Sequence, residues 1–103
     1  MTLLHVTTAA AWAAGPPRTP PGGFLHLCTP AQLPFVLARH FAGVSGLVAL
    51  RLDPAALPDV RWETSEPGMD PFPHLYGPLP PGAVTWVEPL PTHTAPLPPP
   101  AAG

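Results

Sequence analysis

Gly23-Phe24-Leu25-His26-Leu27-Cys28-Thr29-Pro30-Ala31-Gln32 is the stretch that decides the fold. Its first half alternates, with Leu25 and Leu27 opposite Phe24, His26 and Cys28, and so reads as a strand over residues 24–28. Its second half opens a helix. Thr29 stands at the N-cap, Pro30 at the first helical position and Gln32 three residues after the cap, which is the composition of a capping box. That helix is expected to run to about Phe41, since Pro34 falls near the first turn, where its missing N–H costs little. Gly43 and Gly46 end it. A strand that hands directly to a capped helix in a short chain points to the α+β class.

The flanking segments extend the pattern in both directions. Downstream, Leu47 to Leu52 is almost continuously apolar and reads as a central strand, closed by an Asp53-Pro54 turn. Val60 to Glu63 reads as a fourth strand, short and suited to an edge. Residues 64–73 hold Gly68 and three prolines and read as a loop, Leu75 and Tyr76 as a short extended piece, and Ala83 to Glu88 as the last strand. Upstream, Leu3 to Thr7 reads as the first strand, with Leu4 and Val6 on one face and Leu3, His5 and Thr7 on the other. Thr8 can cap a short helix over Ala9 to Ala14 that Gly15-Pro16-Pro17 ends. The expectation is a small split β-sheet with two short helices, forming one domain over residues 1–90, and a disordered proline-rich tail over 91–103.

Composition narrows the function. The chain has 103 residues, room for one domain. Four arginines and no lysine among a net charge of −2 cannot make the basic stripe that neutralises phosphates along a duplex. Nucleic acid is therefore not an expected partner. The longest apolar region, residues 33–52, contains Pro34, Arg39 and His40, so no membrane span is expected. The first residues carry no basic charge and their apolar run is broken by His5, unlike a signal peptide. The one cysteine, Cys28, suits a reducing compartment, and the cytoplasm is the expected location. The sequence does not indicate an oligomeric state.

Three histidines sit where imidazoles are unusual. His5 and His26 are mid-strand, opposite apolar neighbours, and His74 lies in the apolar run Phe72-Pro73-His74-Leu75-Tyr76-Gly77, where a polar ring needs a partner. Each can be a satisfied structural residue. Together they suggest a surface shared by neighbouring strands. Glu63 follows Trp62 at a strand end, where a carboxylate can stabilise positive charge or simply pair with Arg61 or Arg51. His40 and His93 receive no role. Cys28 reads as structural or as lining a site, because nothing near it in sequence would lower its pKa.

Read together, Leu4-His5-Val6-Thr7, Gly23 to Pro30, Leu50 to Asp53, Arg61-Trp62-Glu63 and Phe72 to Leu79 resemble the domain of unknown function 952 family, over about residues 2–90. Cys28 stands where that family more often has serine. The resemblance implies an ADP-ribosyltransferase-like fold, a split sheet whose cleft holds NAD in active members, distantly similar to RNA 2′-phosphotransferases. No counterpart of the phosphotransferases' extra N-terminal lobe is expected, and Gly43-Val44-Ser45-Gly46 carries no arginine, which argues against RNA 2′-phosphate removal. By this resemblance His5 and Thr7 would contact ribose, His26 the adjoining phosphate or ribose, and Tyr76 would stack on a ring. Glu63 would stabilise an oxocarbenium-like charge, and His74 would act as base or orienter. Three functions stay open. One is a cleft that binds a nucleotide or small metabolite, another an NAD-dependent ADP-ribosyltransferase-like enzyme, and the third a metal-binding protein using His5, His26, Cys28 and His74.

Overall fold

A computed structural model describes residues 1–64 and 67–92. The chain runs β1 (Leu3–Thr8), α1 (Ala9–Ala14), β2 (Leu25–His26), α2 (Leu33–His40), β3 (Leu47–Leu52), β4 (Val60–Glu63), β5 (Phe72–Leu75) and β6 (Val84–Pro89), with short 3₁₀ turns before α2, β4 and β6. All strand pairs are antiparallel and make two three-stranded sheets, β1-β3-β6 and β2-β5-β4. This is a small α+β fold with few helices. The tail expected over 91–103 lies, beyond Thr92, outside the described residues, as do Glu66 and His93. Among the described residues no helix is long and apolar enough to cross a membrane.

Among the described residues the two sheets meet at a single pair. Leu4 N–H donates to the Cys28 carbonyl (2.7 Å) and Cys28 N–H to the Leu4 carbonyl (2.8 Å). The strand expected over 24–28 is therefore divided. Leu25 and His26 pair with β5, Leu27 N–H still donates to the Pro73 carbonyl (3.0 Å), and Cys28 has crossed to β1. One face of this split sheet carries the main core, in which Leu3, Leu50 and Leu52 pack with Leu25, Leu27 and Leu75. On the other face Val6 and Leu47 pack with Leu37 of α2. β3 is central in its sheet and buried on both faces, as its continuous apolar run implied.

Two local expectations are corrected. The run through Pro73, read as loop, is β5, the central strand of the second sheet. Proline is normally kept out of central strands because it lacks a ladder donor. In an antiparallel pair, one residue's N–H and C=O point to the same neighbour. The missing donor of Pro73 therefore falls beside Leu27, where the β2 ladder has already ended, and Pro73 is tolerated. The helix after Thr29 likewise begins as a 3₁₀ turn over Pro30–Gln32, and α2 proper starts at Leu33. Pro34 cannot donate to the carbonyl four residues back and its ring crowds that carbonyl, so the first turn is tightened.

The capping box itself is formed. Gln32 N–H donates to Thr29 Oγ1 (3.2 Å) and Thr29 N–H donates to Gln32 Oε1 (3.0 Å). Gln32 Nε2 also reaches the Pro71 carbonyl (3.0 Å), tying the helix start to the approach to β5. Thr29→Ala should lower stability by about 1 kcal/mol, read as a shift in the denaturant midpoint at unchanged slope.

Candidate functional site

The ladder positions set the site. His26 lies directly opposite His74, and Arg61 opposite His74 on its other side, so the three side chains form a row across one face of the second sheet. Phe72 and Tyr76, two residues either side of His74, share that face, as does Glu63, the ladder partner of Phe72. The opposite face, with Leu25 and Leu75, belongs to the core.

His74 is only 4% exposed and is held on three sides. Its Nδ1 donates to Glu63 Oε1 (2.8 Å). Phe24 stacks nearly flat on the ring, with centroids 3.9 Å apart at 17°, and His26 approaches edge-on at 5.5 Å. Tyr76 O–H donates to the same Glu63 oxygen at 2.6 Å. These two donors hold the Glu63 carboxyl below its usual range, the Tyr76 bond being the larger cause, and the same hydrogen bond pushes the Tyr76 phenol up. Arg61 lies over the Tyr76 ring at 4.2 Å and pairs with Asp59. Among the described residues no buried side-chain nitrogen or oxygen lacks a partner, and His74 makes no second hydrogen bond. His74 also lines the adjoining cleft.

That cleft has a volume of about 410 Å³ and lies where the two sheets part, beneath α2. His5, His26, Cys28 and His74 line its floor, Phe72 one wall, and Phe35, Arg39 and His40 of α2 the roof. His5 arrives by an unexpected route. The Leu4–Cys28 pair puts Leu4, Cys28 and His26 on one face, so His5 belongs to the other face, with Leu3. This corrects the reading of His5 and His26 as sharing an outer face. Both faces of β1 are buried, and alternation could not say which one carries the cleft. His5 nonetheless lines the cleft, and its Nδ1 donates to the His26 carbonyl (2.8 Å). Burial lowers the His5 pKa, partly opposed by that hydrogen bond. Burial also lowers that of His26, with His74, His40 and His5 adding smaller repulsions.

The sequence-predicted residues thus divide. His5, His26 and His74 come together. Glu63 reaches the cleft only through His74. Tyr76 lines a neighbouring hollow with residues 16–23 instead, and its hydroxyl serves Glu63. Thr7, opposite Val48, is not among the lining residues. Among the described residues no group of three or more His, Cys, Asp or Glu side chains is placed to hold an ion. Nδ1 of both His5 and His74 is already used, and burial pushes the Cys28 thiol up to about 11, far from a thiolate ligand. Sequence reasoning missed Phe24, which shares the face of His26 at a spacing of two. It also missed Phe35, Arg39 and His40, which the helical i, i+4 spacing places over the cleft.

Because burial lowers the pKa of His5 and His26, the unfolded chain binds more protons than the folded one below about pH 6.5. Their contribution to stability is complete above that pH and is lost as pH falls. Thermal melts between pH 7.5 and 5 should show a falling midpoint, and His26→Gln should flatten the fall.

Comparison with known proteins adds three findings. The model of a family described as protein of unknown function (DUF952) matches residues 5–87. No curated protein matches the chain. The crystal structure of protein CC0527 from Caulobacter crescentus superposes with a TM-score of 0.70 at 29% sequence identity, covering 84% of this chain and 83% of that one, and a double-mutant form of it gives the same values.

Proposed function

The chain belongs to the DUF952 family, and from that premise we propose that the cleft beneath α2 binds a nucleotide or a small metabolite of similar size. The observation that carries this reading is the pair of imidazoles, His5 and His74, each fixed through Nδ1 and both lining one cleft of about 410 Å³. That volume lies within the usual range for small-molecule sites. The walls are largely apolar and aromatic, as ring-binding sites are. The parting of the two sheets at the cleft supports an ADP-ribosyltransferase-like architecture, and NAD is the first ligand to try. The reduced, buried Cys28 agrees with a cytoplasmic protein.

NAD-linked transfer is the second reading, favoured by the Glu63–His74 pair. A carboxylate that fixes one imidazole nitrogen leaves the other poised as a base. Glu63 Oε1 is committed to His74 and Tyr76, however, which suits positioning better than direct charge stabilisation. The test is a titration of ¹⁵N-labelled protein with NAD, ADP-ribose and adenosine, with free nicotinamide measured in parallel. Saturable shifts clustered at His26, Phe35 and His74 without nicotinamide are the expected result. Nicotinamide release would promote the enzymatic reading. No shifts up to roughly 10 mM ligand, an affinity below about 3 kcal/mol, would end both.

A further inference from the structure

We propose that two copies of this chain pair edge to edge through β4, antiparallel about a two-fold axis at Trp62, so that Arg61 of each copy lies opposite the partner's Glu63. Nothing in this pairing depends on what the cleft binds.

Two three-stranded sheets have four edges, and three of them are closed or blunted among the described residues. β1 is joined to Cys28 through Leu4. β2 is two residues long, and its His26 carbonyl is taken by His5. β6 carries a register shift opposite Arg51 and Leu52 and ends in Pro89, and both features spoil an edge for pairing. β4 has no such guard. Its register with β5 is unbroken from Val60 to Glu63, and it contains neither proline nor lysine. Tyr76 N–H donates to the Asp59 carbonyl (2.8 Å), which sets the phase of the ladder. Arg61 and Glu63 therefore turn their backbone groups to β5, and Val60 and Trp62 turn theirs to the open side. The Trp62 indole beside that open backbone is 45% exposed.

Charge selects both the occupant and the register. Only Val60 and Trp62 of this strand offer outward backbone groups, so an antiparallel copy can slide only in steps of two residues. With the axis at Trp62, Arg61 meets the partner's Glu63 on one face and the two indoles lie opposite each other on the other face. Moving the axis to Arg61 or to Glu63 sets like charges directly opposite, which is destabilising. An Arg-x-Glu strand run antiparallel to itself is thus its own complement. The atoms required are spare: Arg61 holds Asp59 through Nε and Nη2, leaving Nη1, and Glu63 holds His74 and Tyr76 through Oε1, leaving Oε2. Each copy thereby adds a guanidinium to the carboxylate that fixes the other's His74. One short strand and one indole a side, at most about 150–250 Å² for each indole, stay below the roughly 1,200 Å² that separates standard interfaces from weak ones. The dimer is accordingly a weak one, forming at roughly 10–500 µM.

Sedimentation equilibrium of the full chain from about 10 µM to about 1 mM should show the average mass rise from one copy towards two. Trp62→Lys, a guard at an exposed position, and Arg61→Glu, which sets carboxylate against carboxylate, should each weaken association at least about tenfold. Circular dichroism checks that both stay folded, and should Trp62→Lys unfold, Arg61→Glu alone carries the comparison. Trp86→Lys, on the blunted edge, should associate as wild type does. In a mixture of labelled and unlabelled protein, an intermolecular NOE is expected between Hα of Arg61 and Hα of Glu63, because opposite residues of a non-hydrogen-bonded pair bring their Cα atoms to about 4.5 Å. A chain that stays monomeric to about 1 mM overturns the pairing. So does a dimer that Trp86→Lys dissolves while Trp62→Lys and Arg61→Glu do not. Protection of the Val60 and Trp62 amides that is independent of protein concentration would assign the edge to residues 93–103 of the same chain, and overturns it equally.

Discussion

Leu50→Ala should cost the fold roughly 2–5 kcal/mol, the range for truncating a fully buried leucine. Leu50 is at the middle of β3, the central strand, and has no exposed surface. It lies opposite His5 on one side and Val87 on the other, within the cluster that joins the two sheets. Alanine there leaves a void that neither β1 nor β6 can fill without breaking its ladder. Against a total stability of about 5–15 kcal/mol for a domain, the loss is large. Urea unfolding should show a lower midpoint at an unchanged slope. Val44→Ala, at an exposed position, is the control and should stay within about 0.5 kcal/mol of wild type. A cost below about 0.5 kcal/mol for Leu50→Ala would contradict the packing described.

The largest functional effect is expected from His74→Ala. It removes the imidazole that faces the cleft, the platform on which Phe24 stacks and one of the two donors to Glu63. Loss of a buried, doubly engaged group at the centre of a site usually costs at least about 2 kcal/mol of binding, or some thirtyfold in affinity. The same change removes a part-buried hydrogen bond and should lower stability by about 1–3 kcal/mol. Binding is therefore compared at a temperature where circular dichroism shows the variant folded. His74→Gln, which keeps a hydrogen-bonding side chain without a titrating ring, separates folding from recognition. Either variant, folded and binding the ligand as wild type does, would return His74 to a structural role.

The sequence made some of this legible and hid the rest for identifiable reasons. Thr29, Pro30 and Gln32 announce a helix start because capping is a local affair, settled within four residues. The strand at Leu47–Leu52 is legible because burial on both faces leaves an apolar run. β5 was not, because the tolerance of Pro73 depends on where another strand stops. For His5, the face assignment failed because it depends on the Leu4–Cys28 register, a contact across more than twenty residues that no alternation rule encodes. His26 and His74 were recognisable as imidazoles in apolar strands. Their mutual position, and the roof of Phe35, Arg39 and His40, follow only from strand order and helix docking.

The Leu4–Cys28 junction also bears on motion. Two backbone hydrogen bonds are all that the ladder contributes between the sheets at this point, and the cleft lies immediately beside them. Breaking that pair leaves the β1–β3 ladder intact. The amides of Leu4 and Cys28 should therefore exchange with solvent deuterium sooner than those of Ala49 and Leu50, and a bound ligand that clasps both sides should slow the first pair while leaving the second as it was.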